Sequence, residues 1–266
     1  MIKLIVCDMD GTIIGHDEKI PAAAPAFIRK VESQGIMFTI ATGRSEFFMK
    51  SKIREMGITL PYIATNGATI MHGDKVILRL QFPIAPLRAV LKTAQDLNMS
   101  ILYTMNGIER TEYVNDWFRH EGAKRNITYN ADPFSEEEWQ TVKADKILIM
   151  DPERNGNIFK IEELIKNTTS EATYVRYQNK AIELNEHTTN KAVALLNLID
   201  ILEIPIEDVL VIGDDDNDIE MFQAARNSAA VGNASLRAQK FASYRCKANE
   251  FEGVQEAICA FCDNLR

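Results

Sequence analysis

The feature that most constrains the fold is an alternation along both ends of the chain. A short apolar run stops at glycine or a polar residue, and a longer stretch with apolar residues at helical spacing follows. The runs Ile2 to Cys7, Met37 to Ala41, Tyr62 to Ala64, Val209 to Ile212 and Ala229 to Val231 have the length of strands buried on both faces. Between or after them, Ala23 to Gln34, Glu46 to Met56, Lys191 to Leu202 and Asp218 to Arg226 carry the helical period. Gly35 and Gly57 mark helix ends, and Pro205 closes the helix before the Val209 strand. Strands that alternate with helices run parallel, because each return to the sheet is a crossover, and the helices then cover both faces. The expected fold class is α/β, a doubly wound parallel sheet of Rossmann-like type.

The middle of the chain breaks this rhythm. One helix, Leu87 to Leu97, is followed by strands expected at Ser100 to Tyr103, Ile108 to Tyr113, Lys146 to Met150, Tyr174 to Tyr177 and Ala181 to Leu184. Phe82-Pro83-Ile84-Ala85-Pro86 and Glu186-His187-Thr188-Thr189 read as crossings between two bodies, the first because paired prolines interrupt ladders and helices. The expected organisation is a parallel core in residues 1–82 and 187–266, with an α+β insert in residues 83–186.

Charge and composition exclude several classes. Thirty Lys and Arg against 38 Asp and Glu give a net charge of −8 with no basic stripe. A general nucleic-acid or anionic-membrane surface is therefore not expected. The most apolar long stretch, Ala192 to Val211, is interrupted by Asn197, Asp200, Glu203, Glu207 and Asp208, so no bilayer span is expected either. The N-terminal run is too short for a signal-peptide core, which points to a soluble, cytoplasmic chain with no evident obligate protein partner. Cys7, Cys246, Cys259 and Cys262 are too few and too unevenly spaced for a disulfide framework and are expected as free thiols. Cys259 and Cys262 lack the second pair that zinc needs, and His16, His72, His120 and His187 have no ligand spacing.

The chemistry gathers at strand ends. Asp8-Met9-Asp10-Gly11-Thr12 follows the first strand, Thr42-Gly43-Arg44 the second, and Gly213-Asp214-Asp215-Asp216-Asn217-Asp218 the Val209 strand. In an open parallel sheet these ends share one rim, where ligands bind. Taken singly, each segment also fits a solvated turn or a helix cap, and Lys191 also fits a solvated charge in a helix's first turn. Together they form a parts list for phosphoryl transfer. Asp8 is the expected nucleophile, and Asp10 the group that protonates the leaving oxygen and then deprotonates water. Mg2+ is expected on Asp8, Asp214 and the main-chain carbonyl of Asp10, since clustered aspartates in a cleft call for a hard cation. Thr42, Gly43, Lys191 and Asn217 are expected to hold the phosphoryl oxygens.

These four segments, in this order, resemble the motifs of the haloacid dehalogenase-like hydrolases, and within them the Cof-type phosphatases of subclass IIB. The Asn66-Gly67-Ala68 and Gly232-Asn233-Ala234 turns are similar to that branch as well. The resemblance implies a doubly wound core with a mobile cap between the second and third motifs. It also implies phosphate contacts that include the Met9 amide, and support of the metal shell from behind by Asp218. Its activity would be Mg2+-dependent hydrolysis of small phosphorylated metabolites, sugar phosphates foremost. A phosphomutase with the same nucleophile, and a catalytically silent regulator or phospho-receiver, are the alternatives. Two departures stand out: Ala192 after the lysine and Arg226 after the fourth motif, where the family usually has glycine.

Overall fold

The structure, a computed structural model, describes residues 1–15 and 18–265. The chain begins with β1 (Leu4–Cys7), α1 (Ala24–Ser33), β2 (Met37–Ile40), α2 (Glu46–Met56), β3 (Tyr62–Ala64), β4 (Thr69–His72) and β5 (Lys75–Arg79). It continues through β6 (Phe82–Pro83), α3 (Arg88–Asp96), β7 (Ser100–Met105), β8 (Ile108–Arg110), α4 (Asp116–Arg125) and α5 (Glu136–Thr141). Next come β9 (Lys143–Ala144), β10 (Lys146–Met150), α6 (Asn157–Lys166), β11 (Ala172–Tyr177) and β12 (Ala181–Glu186). The last stretch holds α7 (Lys191–Ile201), β13 (Val209–Gly213), α8 (Ile219–Ala224), β14 (Asn227–Ala230), α9 (Ala238–Phe241), β15 (Tyr244–Arg245) and α10 (Glu250–Phe261). Two compact units result: Met1–Arg79 with Thr189–Arg266, and Leu80–Thr188.

The first unit is built on a parallel sheet in the order β15-β14-β13-β1-β2. The chain leaves β1 toward β2 and returns on its other side at β13. The strand order therefore reverses between β1 and β13, and a crevice opens past their carboxyl ends. Successive residues of β1 face opposite ways. Ile5 and Cys7 join a core with Ile28 of α1, Ile53 of α2 and Ile258 of α10, whereas Leu4 and Val6 join a second core with Leu195 and Leu198 of α7 and Phe222 of α8. All four β1 side chains are fully buried, so the strand admits no charge before Asp8.

Tyr62 to Ala64, expected in the parallel sheet, reaches it only through a single bridge between Ala41 and Ile63. Its ladder is antiparallel with β4, in a three-stranded sheet β3-β4-β5. The three-residue turn Thr65–Gly67 that joins them is too short for a parallel return. The helix expected from Asp218 to Arg226 is shorter, a 3-10 turn at Asp216–Asp218 leading into α8, with Ala225 extended.

The second unit has an antiparallel sheet, β11-β12-β10-β7-β8. Ile101, Tyr103, Ile147, Ile149, Ile182 and Leu184 pack on one face against Val90 and Leu91 of α3 and Ile158 and Ile161 of α6. Phe82-Pro83 pairs with Lys143-Ala144 instead of breaking all pairing, because a proline is tolerated on a short edge. Among the described residues, no helix is long and apolar enough to cross a membrane.

Candidate functional site

Asp8 follows β1 and Asp214 follows β13, neighbouring strands whose register pairs Cys7 with Ile212, so both carboxylates leave the sheet at one edge. Lys191 opens α7 behind Asn190, whose side chain caps the helix by accepting the Val193 N–H. Its Nζ donates to Asp8 Oδ1 at 2.5 Å and to Asp218 Oδ1 at 2.7 Å. The other Asp218 oxygen accepts the main-chain N–H groups of Asp214 and Asp215 at 3.0 and 3.1 Å. Thr12 donates its hydroxyl to Asp214 Oδ1 at 2.7 Å. Gly11 between them is required twice over: its φ is +81°, and a Cβ there would stand 2.2 Å from Asp214 Oδ2.

These charges are held away from water, since Lys191, Asp8 and Asp218 are all buried. Burial alone would lower the affinity of Lys191 for its proton, but Asp218 and Asp8 outweigh it and hold the ammonium above its ordinary range. Burial pushes the Asp8 carboxyl well up, with Lys191 opposing and Asp218 and Asp214 adding. Burial also pushes Asp214 up to about 7, against the Thr12 hydrogen bond and with Asp218 adding. Three carboxylates face one ammonium, and one oxygen of each lies within 4.8 Å of the others. An all-oxygen group short of positive charge suits a hard divalent cation. Among the described residues no hydrogen bond reaches Asp8 Oδ2, Asp214 Oδ2 or the Asp10 carbonyl, so their lone pairs are open to one. Asp218 has both oxygens engaged and fits a supporting place. The donor set expected from the sequence therefore fits Mg2+.

The remaining expected residues surround this group. Asp10 is held by Arg44, whose Nε lies 2.8 Å from Oδ2 and whose Nη2 lies 2.5 Å from Oδ1. Sequence reasoning gave Arg44 no role, although an arginine directly after Thr42-Gly43 was the available signal. Thr42 is buried, its Oγ1 accepting the Arg44 N–H at 3.1 Å and its carbonyl the Asn66 N–H at 3.0 Å. Asn217 Nδ2 donates to Asn66 Oδ1 at 3.0 Å. The Met9 carbonyl accepts the N–H groups of Ile13 and Ile14, which closes the turn after β1. Asn233 Nδ2 ties the Gly11 carbonyl at 2.7 Å. Ala192 packs buried in α7, and Arg226 is exposed after α8. His16 lies outside the described residues, and among the described residues no disulfide joins the cysteines.

Comparison with known proteins places the chain in a family and a fold. A family model described as haloacid dehalogenase-like hydrolase matches residues 5–258. A Bacillus subtilis protein named 5-amino-6-(5-phospho-D-ribitylamino)uracil phosphatase YcsE is 29% identical over 261 residues, covering 97% of this chain and 94% of its own. A phosphoglycolate phosphatase of Methanopyrus kandleri is 26% identical over 256 residues, covering 96% and 94%. Among solved structures, one described as a sugar phosphatase of haloacid dehalogenase subclass IIB superposes with a TM-score of 0.82 at 20% identity, covering 99% of this chain and 100% of its own.

Proposed function

The chain belongs to the haloacid dehalogenase-like hydrolases, in their Cof-type branch, and is a phosphoric monoester hydrolase; from that premise we propose that it is Mg2+-dependent, that Asp8 is its nucleophile, and that small sugar phosphates are its substrates. The observation that carries this reading is the grip of Lys191 on one oxygen of a buried Asp8 whose carboxylate clusters with those of Asp214 and Asp218.

One Asp8 carboxylate oxygen forms a bond to phosphorus as the bond from phosphorus to the leaving oxygen breaks, and Asp10 delivers a proton to that oxygen. The products of this step are an aspartyl-phosphate and the free alcohol. Asp10 then takes a proton from water, whose oxygen attacks phosphorus, and the bond to Asp8 breaks to release inorganic phosphate. Lys191, Thr42, the Gly43 and Met9 amides and Asn217 hold the phosphoryl oxygens through both steps. Arg44 orients Asp10 between them. Bound by Asp8, Asp214 and the Asp10 carbonyl with Asp218 behind, Mg2+ would supply charge neutralisation between nucleophile and phosphate. The substrate class follows the description of the sugar phosphatase that shares the fold, and the unit Leu80–Thr188 is the proposed substrate-selecting cap.

The test is phosphate release from phosphorylated sugars, nucleotides and an aryl phosphate, with Mg2+ or with EDTA, for the wild type and Asp8→Asn. Release that needs Mg2+ and is lost in the variant supports the reading. A variant that keeps its rate, or release unchanged in EDTA, counts against it.

A further inference from the structure

The turn Thr65-Asn66-Gly67 between β3 and β4 is the most constrained backbone near the candidate site. Its three residues have φ of +53°, +51° and +101° in succession. Glycine and asparagine tolerate this region, but a β-branched threonine does not, and such strain persists only where the surroundings impose it. Here they do so from three sides. The Thr65 N–H donates to the Arg44 carbonyl at 2.8 Å and the Asn66 N–H to the Thr42 carbonyl at 3.0 Å, which ties the turn to the loop after β2. A Cβ on Gly67 would stand 2.3 Å from the Asn190 carbonyl, so the turn presses on the residue before Lys191. The Asn66 side chain takes up the third side. Its Oδ1 accepts from Asn217 Nδ2 at 3.0 Å, and the same oxygen would lie 3.0 Å from a Cβ added to Gly43.

Resting on the phosphatase reading above, we propose that Asn66 is a positioning residue for phosphate recognition: it fixes the Asn217 amide and the Gly43 segment together, so that both face one phosphoryl group. A primary amide has two N–H bonds. The one given to Asn66 fixes the plane of the Asn217 amide and leaves the second directed by that plane, so the entropy of aiming it is spent before substrate arrives. The left-handed backbone is what turns the Asn66 side chain toward both partners, and the strain at Thr65 is the local cost of that placement.

Asn66→Gly separates the two roles, because glycine keeps the left-handed turn and removes the amide. We expect it to fold with a thermal midpoint near that of the wild type. Its inhibition constant for inorganic phosphate and its KM for an aryl phosphate should both rise about tenfold, the loss of one hydrogen bond to a charged group, with kcat falling less. Asn217→Ala should show the same shifts, and the double variant should be no worse than Asn217→Ala alone, because both changes remove one device. Wild-type phosphate inhibition in Asn66→Gly, or effects that simply add in the double variant, would overturn the proposal. Should the glycine variant not fold, Asn66→Ser, too short to reach Asn217, gives the same reading by the same criteria. The wild type separates this from the reading beneath it: a wild type that releases phosphate while Asn66→Gly matches it in every constant removes only the role of Asn66, whereas a wild type that neither releases nor binds phosphate removes both.

Discussion

Asp10 and Arg44 give the sharpest expectation at the scale of single residues. Their two-pronged contact fixes a carboxyl that the proposed mechanism uses only when the leaving oxygen needs a proton. An aryl leaving group departs without much help, whereas a sugar alkoxide does not. Arg44→Ala is therefore expected to lower kcat on sugar phosphates by about tenfold or more while changing the aryl phosphate rate little, and Asp10→Asn is expected to exaggerate the same pattern. Equal losses on both substrate types would show that Arg44 acts elsewhere. Lys191 carries a second expectation. Replacing it by methionine leaves Asp8 and Asp218 buried without their cation, which costs about 3–5 kcal/mol for a broken buried pair. Urea unfolding in EDTA measures this, and a loss under about 1 kcal/mol would mean that water reaches the pair. Asp8, Asp214 and Lys191 were legible in the sequence because each stands at a strand end or a helix start. The grip of Arg44 and the wedge of Asn66 were not, since both depend on side-chain directions that loops set in three dimensions.

The elements divide by how far periodicity reveals them. β1, β13, α2 and α7 lie close to where the sequence places them, because each has a face, or two faces, made mostly of apolar residues. α4 went unseen because its apolar residues do not fall at helical spacing. α5 is six residues long and rests on a capping box, with Ser135 and Glu138 exchanging hydrogen bonds, a signal visible in Ser135-Glu136-Glu137-Glu138 but easily lost among charges. α6 does carry its period in Ile158, Ile161 and Ile165, behind the polar run Asp151 to Gly156. The placement of β3 failed for a different reason: three apolar residues cannot say whether the next turn is a crossover or a hairpin. Packing yields an element-scale expectation at Leu195 of α7, fully buried in the core that it shares with Leu4 and Val6 of β1. Leu195→Ala opens a cavity beneath the helix that delivers Lys191, and should cost about 2–5 kcal/mol in urea unfolding. A cost below about 1 kcal/mol would mean that α7 settles into the space, and the Lys191 position would shift with it.

For the whole molecule, the excess of buried negative charge at the candidate site links stability to pH and to cation. Asp214 has its folded-state carboxyl raised from 3.8 to about 7, and Asp8 is raised in the same direction, chiefly by burial. A raised carboxyl means that the folded protein holds a proton which the unfolded chain has already released. The stability this proton confers is complete below the unfolded value, and it drains away as pH rises through the folded one. In EDTA, Tm should therefore fall between about pH 4 and about pH 7 and level off above neutrality as Asp214 ionises in the folded protein. Under the proposed function Mg2+ would take the place of the proton, so it should restore Tm at about pH 8 and add little at about pH 5, where it must displace protons to bind. Asp214→Asn removes a raised carboxyl and a proposed cation donor at once. The variant should lose most of both the pH slope in EDTA and the gain from Mg2+, and differential scanning fluorimetry reads the two together. A wild-type Tm that stays flat with pH in EDTA would mean the carboxylates are already neutralised within the protein, and the charge imbalance at the strand ends would no longer support the proposed Mg2+ site.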